Sequence, residues 1–164
     1  MRIGLVIDTF NLGGAESMVF ETARLLKESG QTPILFHFGS EYVSECAMNL
    51  GIEHYVIPHH RLYKKGILLP LFVLKTLLFF NTRKLDVLHS HLFSPIFTFA
   101  IVAKLAGIRH VGTLHDTYMI EDSPKRIWLI KLAHLLNTQL VAVSEPMKKF
   151  YTEQANFKAD TICY

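Results

Sequence analysis

The chain has 164 residues, half of them hydrophobic, and 17 Lys and Arg against 14 Asp and Glu give it a formal net charge of +3. That length is enough to bury a real core in a single domain, 1–164, and a charge so mild and so dispersed gives no argument for nucleic acid as a partner, so none is expected. Cys46 and Cys163 stand far apart in unlike contexts, which argues against a disulfide framework or a metal knuckle and makes a reduced, cytoplasmic compartment the default.

The first predicted strand, 2–8, follows Met1 directly, and the absence of a charged leader with a cleavage site makes export unexpected. Asn11-Leu12-Gly13-Gly14-Ala15-Glu16 then joins this strand to a helix. Glycines without a Cβ let backbone N–H groups approach an oxyanion, and the helix offers its positive N-terminal end to the same point. The full G-x-G-x-x-G spacing is missing, so a tight turn that merely reverses the chain is the competing reading. Within the helix, Val19, Ala23 and Leu26 share one face while Glu21, Arg24 and Glu28 cover another.

Further strands are predicted at 32–38, 54–57, 86–89, 110–114, 139–143 and 160–164, with helices between them. Gly30, Gly51 and Gly107 stop three helices. Ser94-Pro95, Ser123-Pro124 and Ser144 begin three others. This alternation predicts an α/β, Rossmann-like parallel sheet with helices on both faces. A basic, aromatic loop at 59–65 precedes the apolar run 66–80, whose helix starts at Pro70. At ~1.5 Å per residue that helix falls short of the ~30 Å hydrocarbon core, and Lys75 adds about 2.5 to 3.5 kcal/mol against insertion. Over 71–83, Phe72, Lys75, Phe79 and Arg83 recur at helical offsets. An interfacial stripe touching the inner face of the membrane is one reading; a core helix whose lysine snorkels past buried neighbours is the favoured one. The strand-like end, 161–164, has no polar tail, so continuation into a longer protein is expected.

In an open parallel sheet, ligands bind beyond the carboxyl ends of the strands. The residues predicted there are Asn11, Gly13, Gly14 and Glu16 after strand one, and His89, His91 and Ser94 after strand four. His115, Asp116 and Thr117 follow strand five; Ser144 and Glu145 follow strand six. His89 and His91, at i and i+2, point the same way and permit a shared metal or anion, but no second cluster supports a metal. The favoured reading has His89 ending a buried strand, bonded to backbone, with only His91 exposed. His115, at the tip of a central strand, suits a polar contact, a proton carrier or an electrostatic stabiliser, and equally a cap on the next turn. His37, His54, His59, His60, His110 and His134 read as ordinary structural residues.

Together, Gly13-Gly14-Ala15-Glu16, Asp86-Val87-Leu88-His89-Ser90-His91 with Pro95, Val111-Gly112-Thr113-Leu114-His115-Asp116 and Val141-Ala142-Val143-Ser144-Glu145 resemble the N-terminal domain of a GT-B glycosyltransferase of family 4, the retaining group 1 family. The resemblance spans nearly the whole chain. It implies an acceptor-side domain facing a second, nucleotide-sugar-binding C-terminal domain that lies outside these residues. It also implies His115 as the active-site histidine and Gly13, Gly14, Glu16, His91 and Asp116 as substrate-binding positions. No metal and no cofactor are implied beyond a nucleotide-sugar co-substrate, UDP- or GDP-linked, and the acceptor is a glycan, a lipid or a small molecule. The family's paired-glutamate signature belongs to the second domain, so the isolated domain is expected to be inactive. A self-standing ligand-binding module and a nucleotide-sugar epimerase are the alternatives.

Overall fold

The computed structural model describes residues 1–9, 13–63 and 66–164. Seven strands, β1 (Arg2–Ile7), β2 (Thr32–His37), β3 (Glu53–Val56), β4 (Val87–His91), β5 (Arg109–Leu114), β6 (Thr138–Ala142) and β7 (Ile162–Cys163), form one parallel sheet in the order β3-β2-β1-β4-β5-β6-β7. β1 lies between β2 and β4, where the strand order reverses, and this switch point is where such sheets open a crevice for ligands. β1 and β2 bury five of their six residues each, which is why they read as continuous apolar runs rather than alternating ones.

The helices are α1 (Gly14–Glu28), α2 (Glu41–Asn49), α3 (Leu69–Asn81), α4 (Phe93–Ala106), α5 (Tyr118–Asp122), α6 (Ile127–Leu135) and α7 (Glu145–Ala155). Successive strand residues point to opposite faces, and the packing follows that alternation. Ile3, Leu5 and Ile7 meet Val19 and Ala23 of α1 and Val43 of α2. Val6, with Phe36 and Leu88, meets Phe72, Phe80 and Phe99 of α3 and α4. A third cluster joins Leu140 and Ala142 to Ile130 of α6 and Tyr151 of α7. The opposite face of α1 carries the expected ion pairs, Arg24 to Glu21 and to Glu28.

Helix ends follow local chemistry in part. Gly30, Gly51 and Gly107 all take positive φ past α1, α2 and α4, and Ser144 Oγ accepts the Met147 N–H at the start of α7. The other two predicted caps are corrected. α4 begins one residue before Ser94, with Leu92 at its cap position. A short 3-10 turn, Pro124–Arg126, follows Ser123, whose side chain makes no cap bond, so α6 starts only at Ile127.

Over 71–83 the aromatic side of α3 follows the favoured reading, that of a core helix. Phe72 is fully buried and Phe79 packs, half-buried, on Phe36 and Tyr55, while Arg83 lies over the Phe79 ring. The cause is β2: its Phe36, with Phe38 just beyond it, needs an aromatic cover, and α3 supplies it. Among the described residues no helix is long and apolar enough to cross a membrane.

Candidate active site

The strand registers bring Ile7, His91 and Thr113 level across β1, β4 and β5, so the segments that follow them open on one rim. A cleft of about 420 Å³ lies there, lined by Asp8 after β1, by Leu92, Phe93 and Ser94 at the β4–α4 junction, and by Asp116 and Tyr118 after β5. A larger cleft, about 550 Å³, lies at the opposite, amino edge beside Gly107, Arg109 and Asn137 and contains none of the rim residues.

His89 and His91 do share a side of β4, their ring centroids 4.1 Å apart, but their predicted environments are reversed. His91 is buried, because β4 runs two residues further than 86–89 and carries His91 into the ladder with Ile7 and Thr113. His89 is only half-buried, and its Nε2 bonds Thr113 Oγ1 at 2.7 Å instead of backbone. His91 Nδ1 lies 3.0 Å from His115 Nε2, one ring donating and the other accepting. Burial drives the His91 pKa well below that of a free imidazole, helped by His89 and His115. Burial, then His115, lowers His89 to about 4. His115 is lowered too, chiefly by burial, while Asp116 and Glu16 pull it back up. Among the described residues no three His, Cys, Asp or Glu side chains form a metal-sized group.

The start of α1 lies at the same rim, near enough for Glu16 to act on His115. Asn11 lies outside the described residues. Gly13 is extended at the cap of α1, and Glu16 is buried with its carboxylate folded back: a Cβ on Gly13 would sit 2.8 Å from Glu16 Oε2. Among the described residues a Cβ on Gly14 would meet nothing within 4 Å, and the start of α1 carries the positive end of the helix dipole. Beyond β5, Asp116 Oδ1 accepts the Tyr118 N–H, and the Tyr151 hydroxyl donates to the Asp116 carbonyl at 2.8 Å, pinning the loop.

Of the residues predicted for the site, the structure brings His115, His91 and Glu16 into one electrostatic group, places Gly13 and Gly14 at the α1 end of the rim, and puts Asp116 in the cleft. Asp8, Leu92, Tyr118 and Tyr151 were missed. Asp8 had a signal, being a carboxylate at the carboxyl end of the first apolar strand. Leu92 had none: it holds φ 73°, ψ 155°, a conformation natural only to glycine that costs on the order of 1–3 kcal/mol. His110 proves more than an ordinary strand residue, bridging Ser90 Oγ and Thr138 Oγ1 in the interior. It braces the sheet and does not reach the rim.

Both the sequence and the fold have known counterparts. Residues 12–164 match the model of Glycosyltransferase Family 4. The chain belongs to that family. No curated protein matches its sequence. Among solved structures, HepE of Anabaena in complex with UDP and glucose superposes on the family 4 chain with TM-score 0.78 and 18% identity, covering 99% of this chain and 43% of HepE. A glycosyltransferase from Rickettsia africae gives 0.72 and 21%, over 98% and 41% of the two chains. The lipopolysaccharide outer core galactosyltransferase WaaB gives 0.64 and 12%, over 100% and 45%. These likenesses establish the fold, that of one half of a GT-B glycosyltransferase, and the family 4 chain spans less than half the length of each of these proteins.

Proposed function

We propose that this family 4 chain is the N-terminal, acceptor-side half of a retaining glycosyltransferase that moves a hexosyl group from a UDP- or GDP-sugar to a glycan, lipid or small-molecule acceptor. The observation that carries the proposal is the convergence on one rim of a helix N-terminus, a hydrogen-bonded histidine pair and a carboxylate-lined cleft. As the bond from the sugar to the leaving diphosphate breaks, negative charge builds on the phosphate. In this reading the glycine backbone at Gly13 and Gly14 and the positive end of α1 would meet it. His115 has its Nε2 engaged by His91, so Nδ1 is the ring nitrogen it offers to a sugar hydroxyl. Asp8 and Asp116 line the cleft in which an acceptor hydroxyl would be oriented.

A pocket for a sugar nucleotide normally covers most of its ligand, and among the described residues this rim has no opposing wall. The reading therefore assigns the donor's remaining contacts, and the residues that complete catalysis, to a second domain. The nucleotide sugar is a co-substrate; no metal or further cofactor enters. Free Cys46 and Cys163 suit a reduced, cytoplasmic setting.

The test is a transfer assay on the full-length protein with UDP- and GDP-hexoses and a panel of glycan and lipid acceptors, the product's anomeric configuration being read by NMR. Glycosylated product with the donor's configuration kept is the expected outcome. An inverted product would remove the retaining assignment, and tight ligand binding without transfer from any donor would leave a binding module.

A further inference from the structure

The outer surface of α3 and α4 is unusually apolar. With Phe72, Thr76 and Phe80 turned to the sheet, Leu71, Leu74 and Leu78 line up at i, i+3 and i+7 on the other side, and Leu78 is 62% exposed. Ile67, in the turn before α3, is 92% exposed, and Leu105 of α4 is 62% exposed. Leu74 and Leu105 are not scattered residues: they face one cleft of about 350 Å³ whose walls are Leu69, Val73 and Leu77 of α3 and Ile101 of α4. On α6, packed beside α4, Trp128 is 68% exposed, with Lys131 over its ring. A contiguous apolar surface of this kind marks a contact site.

Charge identifies what it contacts. Between Glu53 and Asp116 the sequence holds eight Lys and Arg and a single acid, Asp86, and Asp86 is engaged by the Arg2 N–H at the sheet's edge. Exposed cations bracket the apolar strip: Arg61 before α3 at one end, Lys84 after it and Lys104 in the last turn of α4 at the other. We propose that the outer face of α3 and α4 docks onto an anionic lipid surface, leucines in the acyl boundary and lysines among the headgroups. A second copy of this chain would set one acid-poor, cationic face against another. A further protein wall completing the rim would stand over the carboxyl edge, not on this flank. Because α3 and α4 both start at that edge, docking holds the mouth of the cleft close to the bilayer. The inference rests on surface chemistry alone and does not depend on the transferase reading.

The experiment is flotation of the full-length protein with vesicles of phosphatidylcholine alone and of phosphatidylcholine mixed with phosphatidylglycerol, at low and high salt. Wild type should float with the mixed vesicles, less with the neutral ones, and less at high salt. Leu74→Glu/Leu78→Glu should lower partitioning by at least about tenfold, since it removes roughly two buried side chains' worth of apolar transfer energy, with melting temperature unchanged. Ile67→Glu, at the most exposed site, gives the same readout without touching a packed residue. Failure of wild type to float, or equal flotation of wild type and both variants, overturns the proposal. So does a collapse of melting temperature in both variants, which would mean that protein covers this face, or loss in the variants of a wild-type dimer that forms without vesicles.

Discussion

His115 is held between opposing influences: its burial disfavours the charged ring, while Asp116 and the tucked-in Glu16 favour it. A histidine so placed, bonded through Nε2 to His91, suits a polar contact or a shared proton with a substrate hydroxyl. In the full-length enzyme His115→Ala should reduce turnover by roughly 10²-fold with little change in melting temperature, since the side chain is only half-buried; steady-state kinetics beside a thermal melt checks both, and wild-type turnover would take His115 out of the site. Much of the placement was legible. Gly13, Gly14, Glu16, His115 and Asp116 could be placed because each closely follows an apolar run, and such runs end at the ligand-binding edge. His91 was misplaced by the smallest possible error, a strand boundary two residues off, which turns a rim residue into an interior one. Tyr151 could not be found at all, because its bond to the Asp116 carbonyl joins positions 35 apart in sequence, and the backbone of Leu92 breaks the local rules that sequence reading depends on.

At the level of elements, α4 and β5 show how close the layers come. Gly112 has no side chain because Ile96 occupies the space: a Cβ there would lie 2.8 Å from Ile96 Cγ2 and 3.2 Å from Thr138 Cγ2. Gly112→Ala should therefore destabilise the protein by about 1–3 kcal/mol, the usual cost of overpacking, as measured by urea denaturation; a loss within ~0.5 kcal/mol would mean that α4 can give way. The strands, the left-handed stops at Gly30, Gly51 and Gly107, and the Ser144 cap were readable from local chemistry. The orientation of α3 was not. A helix that is apolar nearly all round has no polar face to mark its outside, so Phe72 and Leu74 look alike until β2 is known to need aromatic cover.

Across the whole molecule, burial disfavours the charged ring at His37, His89, His91 and His110, as it does at His115. His37 and His89 are lowered to about 4 and His110 to about 3, each chiefly by burial, and His91 is held well below its ordinary value by the same cause. The unfolded chain takes these protons near pH 6.5 and the folded chain does not, so stability is complete above that pH and falls as acid is added toward pH 4. Each such group contributes a slope of about 1.4 kcal/mol per pH unit in that window. Urea midpoints at intervals from pH 7 to 4.5 should drop steadily below 6.5, and a flat profile would contradict the burial. The parallel, two-faced sheet was evident from the alternation of elements, but the strand order was not, since it depends on the long return from β3 to β4.

That return shapes how the protein is made. Of these seven strands, the first to leave the ribosome is the one at the switch point, and its second neighbour, β4, is encoded about 30 residues after β3 ends. At about 5–20 residues per second of synthesis, the β1–β2–β3 half waits a few seconds with the backbone of Ile3, Leu5 and Ile7 bare along one edge. An unpaired, apolar parallel edge is a template for any other strand within reach. Crowded nascent chains of this protein are thus exposed to mispairing at β1 itself, and the pace of translation through 57–86 sets how long that exposure lasts.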